Sequence, residues 1–82
     1  MSGRMRIELS EDQALVLSDW MDRLLHRPEF AALVDDRAVW SPLFTISGVL
    51  ETSLPTAFDP AYGERLEAAR ERLLDQLGDV GK

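Results

Sequence analysis

A chain of 82 residues is one domain, and it buries only about 60–65% of its unfolded surface, so its core is modest and its stability marginal. With no cysteine, it has no disulfide framework, no thiolate metal site and no thiol nucleophile. Fifteen acidic against nine basic residues, net −6, is the wrong sign for binding nucleic-acid phosphates, and no basic cluster is present.

No apolar run approaches the ~18 residues of a membrane span. Arg4 and Arg6 have no apolar stretch behind them, so no signal peptide is read and the cytoplasm is the expected compartment. A moderately acidic surface serves solubility. It also steers basic partners by its field. Eight of the nine basic residues are Arg and Asn is absent, a bias that suits a high-GC genome better than any mechanism.

Residues 1–3 are expected to be a flexible start. In "RMRIELS" Met5, Ile7 and Leu9 alternate with Arg4, Arg6 and Glu8, the period of a half-buried strand over residues 4–9. "SEDQ" comes next, with Ser10 and Gln13 spaced as a capping box and Glu11 and Asp12 in a first turn. A helix is predicted from Glu11 to about His26. Leu17, Trp20, Met21, Leu24 and Leu25 share one face, and Asp19–Arg23 is an i,i+4 pair. Pro28 forbids simple continuation. It is read as the first residue of one or two helical turns, with Phe30, Leu33 and Val34 pointing inward and a corner at Asp35–Asp36.

"AVWSPLFTISGVLE" is the most apolar stretch, and its spacing is helical. Val39, Leu43, Ile46, Leu50 and Leu54 trace one side, with Trp40, Phe44 and Ser47 beside it. This is read as the central helix, buried on much of its circumference, with Leu43, Ile46 and Leu50 in the core. Two arrangements accommodate Pro42. Either Ser41 caps a new helix with Pro42 at its first position, or one helix over about 36–54 is kinked there. The continuous version is preferred, because Val39 and Trp40 extend the same face. Gly48 either admits a neighbouring helix or is simply tolerated. Pro55 ends the helix. Asp59 followed by Pro60 signals a last helix from Pro60 to about Leu77, buried through Tyr62, Leu66, Ala69, Leu73 and Leu77, with Leu74 and Ala68 adjacent. Gly78 suits its C-terminal cap, and residues 79–82 should fray.

No constellation of catalytic residues emerges. His26, the one histidine, sits at a helix end with no Cys or second His beside it. Asp35 and Asp36 read as caps of the central helix. No EF-hand spacing and no glycine-rich phosphate loop occurs. So small a core leaves little room for a ligand pocket of ~300 Å³ or more. No catalytic, cofactor-binding or metal-ligating residue is assigned, no cofactor is expected, and the chain is read as no enzyme. Trp20 and Trp40 read as core. If one of the two is exposed, Trp40 is the expected one, since it sits at the rim of the central face beside Pro42, and Trp is favoured at interface hot spots.

The blocks "MRIELSEDQALVLSDWMDRL", "DDRAVWSPLFTISGVLETSL" and "FDPAYGERLEAARERLL" resemble a set of small, uncharacterised bacterial proteins of actinobacterial type, over nearly all of Met5–Leu77. That resemblance implies a helical fold and brings no activity with it. The residues before Met5 depart from the pattern. By size and charge, such chains look like immunity or antitoxin partners of toxins.

The expected fold is mostly α: a bundle-like domain of three to four helices with one short N-terminal strand, a single domain over 4–78. The expected function is a non-catalytic protein-binding module, immunity- or antitoxin-like or regulatory, partnered by a basic protein or by itself. Met5, Ile7, Leu9, Trp40 and Phe58 are its candidate contacts. The alternative is a structural homodimer built through residues 4–9, since no second strand is found for that edge.

Overall fold

The computed structural model describes residues 3–54 and 60–79. Helix α1 runs over Glu11–Leu24 and starts as its sequence dictates. Ser10 Oγ accepts from the Gln13 N–H at 3.1 Å, and Gln13 Oε1 accepts from the Ser10 N–H at 2.8 Å. The helix ends two residues short of the predicted His26. Arg27, ahead of Pro28, must be extended (φ −94°, ψ 133°), and the chain closes with the Arg27 N–H on the Leu24 carbonyl at 3.0 Å. Pro28 then opens helix α2, Pro28–Leu33.

Asp36 caps the next element: its Oδ1 accepts from the Ala38 N–H at 2.9 Å. A 3-10 turn over Arg37–Val39 leads directly into α3, Trp40–Ser53. The helical path is therefore continuous from the Asp36 cap, and Pro42 does not open α3. Pro42 is the third residue of α3, where the N–H lacks an intrahelical acceptor in any helix, so its missing donor costs nothing. The expected Ser41 cap is not made, and α3 has no side-chain cap.

Helix α4, Tyr62–Leu77, begins two residues after Pro60. The expected Asp59 cap and the Pro55 stop lie outside the described residues. Gly78 closes α4 with φ +62°, a conformation that favours glycine.

The layout corrects one expectation. The central helix is α1, with α4 along one side and α3 against another. Helix α3 is buried on one side only, at Leu50, with Leu43 and Ser47 half-buried. Among the described residues the buried core is Leu15 and Met21 of α1, Leu50 of α3 and Ala69 of α4. Ile46, expected inside, is exposed, as are Leu33, Leu74 and Leu77. Of the α2 residues expected inside, Phe30 is half-buried and Leu33 is exposed. The last turn of α4, around Leu74 and Leu77, stays largely open to solvent.

Residues 4–9 form no strand in the single chain. A strand needs a ladder partner, and no other strand is present among the described residues. Met5, Ile7 and Leu9 are consequently all exposed, the first two at 87% and 72%, not half-buried as their alternation predicts. The chain is also open for its size. Its accessible surface is 7019 Å², where a folded monomer of its mass exposes about 4,900 Å². Its radius of gyration is 14.4 Å, against about 12 Å for a compact domain of this length.

Candidate partner-binding surface

Four aromatic rings from three helices form a continuous row. Phe30, held on α2 by the Pro28 start, sits between the two tryptophans. It meets Trp20 of α1 edge-to-face at 5.8 Å and Trp40 of α3 edge-to-face at 5.9 Å. Trp40 stacks on Phe44, one turn further along α3, at 5.6 Å with the planes 26° apart. Each such pair contributes about 0.5–1.5 kcal/mol beyond area burial, so the row fastens the short α2 to its neighbours.

The row is only half covered. Phe30 and Trp40 are half-buried, while Trp20 is 41% and Phe44 60% exposed. Trp20, expected in the core, is therefore more open than Trp40. Trp40, expected to be the more exposed of the two, is instead half-buried between Phe30 and Phe44. Val39, Ile46 and Val49 add exposed apolar surface on the same stretch of chain. Such a surface offers large rigid apolar area.

Of the other candidate contacts, Met5, Ile7 and Leu9 lie exposed in the segment ahead of α1. Phe58 lies outside the described residues. Sequence reasoning missed Phe30 and Phe44 as contacts. The i,i+4 spacing of Trp40 and Phe44 was a usable signal. The junction with Trp20 and Phe30 was not, because it depends on the angle at which α2 folds back.

The charged groups are engaged elsewhere, in holding α1 to α4. Arg72 grips Asp12 with two bonds, Nε to Oδ2 at 2.7 Å and a terminal nitrogen to Oδ1 at 2.9 Å. The hydrogen bond from Arg72, with its charge, holds the Asp12 carboxyl below the usual range despite some desolvation. The Tyr62 hydroxyl donates to Asp19 Oδ1 at 3.3 Å, and Asp19 also accepts from Arg23 Nε at 2.9 Å. Burial first, then the Asp19 charge, pushes the Tyr62 pKa up.

A cavity of about 360 Å³ opens between the start of α1 and α4, lined by Glu11, Asp12, Leu15, Glu64, Ala68 and Arg72 among others. It is larger than so thin a core led us to expect. Asp12 and Arg72 already satisfy each other across it. Among the described residues no three His, Cys, Asp or Glu side chains converge as a metal site. Nor is any described helix long and apolar enough to cross a membrane. No family model, curated protein or solved structure matches this chain.

Proposed function

We propose that this chain is a non-catalytic protein-binding module, in the manner of an immunity- or antitoxin-like or regulatory partner. Its contact surface is the aromatic row with the adjoining outer side of α3. The observation that carries this reading is an imbalance. Among the described residues eleven large apolar side chains are exposed, and four hydrophobic residues are buried. Single exposed hydrophobes are ordinary, but Trp20, Val39, Phe44, Ile46 and Val49 come from two neighbouring helices and their approach.

Phe44→Ser tests it. Phe44 faces solvent, so the variant should keep its helicity and most of its stability. Tagged parent chain should retain a bound protein in stoichiometric amount, and the variant should lose it. Equal retention by both, or nothing retained by the parent, rejects the reading.

A second reading has its own observation. The alternating Met5, Ile7 and Leu9 are uncovered, and the segment that bears them has no ladder partner among the described residues. Pairing of residues 4–9 with the same segment of another copy would form the strand that the sequence pattern predicts. Ile7→Pro removes a ladder donor. Light scattering should then find the variant monomeric where the parent is dimeric; a variant as dimeric as the parent excludes this pairing.

A further inference from the structure

We infer that residues 5–9 pair antiparallel with the same residues of a second copy in one register, with Ile7 facing Ile7 on a twofold axis. This register rests on the strand-paired reading and fixes which side chains meet.

The segment is open for pairing. Residues 3–10 are all exposed, and no described backbone hydrogen bond involves residues 4–9. Arg4, Arg6 and Glu8 form no described ion pair. A ladder here also has a fixed end. The Ser10 N–H already donates to Gln13 Oε1 at 2.8 Å, and the Ser10 carbonyl accepts from the Ala14 N–H at 2.9 Å. Leu9 is therefore the last residue ahead of α1 with both backbone groups open.

Charge selects the register. In an antiparallel pair, directly opposed side chains point to the same face. Met5, Ile7 and Leu9 of the two copies share a face only when the twofold axis passes through a residue. Slipping one strand by a single residue would set them against charged side chains. The axis can pass through Met5, Arg6, Ile7 or Glu8 and still overlap several residues. Through Met5, Arg4 opposes Arg6 on both sides of the axis. Through Arg6, the two copies of Arg6 oppose each other, and through Glu8 the two copies of Glu8 do. Only through Ile7 do no like charges meet. There Arg6 opposes Glu8 on both sides of the axis, Met5 opposes Leu9, and Ile7 opposes Ile7. Opposite charges so placed favour a strand pair, and like charges disfavour it.

The same symmetry names the occupant. From either end, Met5–Leu9 presents its own complement, apolar to apolar and cation to anion. A strand from an unrelated protein would require no such balance about Ile7. A second copy does.

Sedimentation of the full chain and its charge variants at tens of micromolar tests the register. The parent should run at twice the 9.2 kDa chain. Arg6→Glu sets a carboxylate against Glu8 twice, and Glu8→Arg sets a guanidinium against Arg6 twice. Each should weaken dimerisation by about tenfold. Both positions are exposed and precede α1, so helicity should be unchanged. Net charge alone predicts the reverse for Glu8→Arg, which makes each chain less acidic. Both changes in one chain restore the opposed charges and should restore the parent's affinity. The two single variants, mixed, should form a heterodimer tighter than either homodimer. A monomeric parent overturns the register and the strand-paired reading together, as does a dimer that Ile7→Pro leaves intact. A dimer that Ile7→Pro dissociates, but that the single charge variants leave unmoved or the double change does not rescue, keeps the paired segment and overturns the register about Ile7.

Discussion

Two residues bear unequal weight despite similar side chains. Leu50 is 4% exposed and supplies α3's share of the buried core, so Leu50→Ala removes its contacts and leaves a cavity. The expected cost is ~2–5 kcal/mol, read from the urea midpoint. Ile46, one turn earlier on α3, is exposed, and Ile46→Ala should cost well under half as much. Their spacing alone predicts both inside. Four residues apart, they share one side of α3, and the spacing does not show that the cover over that side reaches Leu50 fully and leaves Ile46 at its edge, 38% exposed. Asp12 carries a different dependence. Its folded pKa lies below the ordinary 3.8, so its pairing with Arg72 contributes fully above about pH 4. That contribution is lost as pH falls through 3.8 toward the lower folded value. Asp12→Asn should therefore make stability less sensitive to pH below 4, with little further loss on acidification. An acid titration by circular dichroism checks this, and an unchanged acid slope counts against it.

Among the elements, the ones with chemical punctuation were legible and the ones set by packing were not. Ser10 and Gln13 mark the start of α1, Pro28 the start of α2, Asp36 the 3-10 turn and Gly78 the end of α4. Each is a local hydrogen bond or a backbone restriction, readable within a few residues. The strand expected over 4–9 is not formed: period two specifies only a face, and a strand needs a ladder. The aromatic row was half legible: the i,i+4 spacing of Trp40 and Phe44 is readable within α3, while the insertion of Phe30 depends on how α2 folds back. Pro42 tests the helix start directly. In the first turn it forfeits no hydrogen bond, and its ring restricts the unfolded chain. Pro42→Ala should destabilise by about 0.4–1 kcal/mol, as a small fall in the denaturant midpoint. A kinked helix would give the opposite sign.

At the scale of the molecule, a chain with few buried side chains among its described residues would gain stability from the partner proposed for it. The melting temperature should rise with protein concentration, since a partner that binds only the folded chain stabilises it by mass action. Salt separates the two kinds of partner. Exposed charges are screened beyond about 8 Å at physiological ionic strength. Raising salt should therefore tighten self-association between chains of net −6, whereas association with a basic protein should slow and weaken. An equilibrium indifferent to salt would match neither. The aromatic row has one more consequence, an optical one. Both tryptophans lie along the join of α1, α2 and α3, and the single tyrosine, Tyr62, lies on α4 against Asp19. Indole emission therefore reports one seam and phenol absorbance the other, so that the undocking of α4 and the release of α2 can be timed separately in one sample without any added dye.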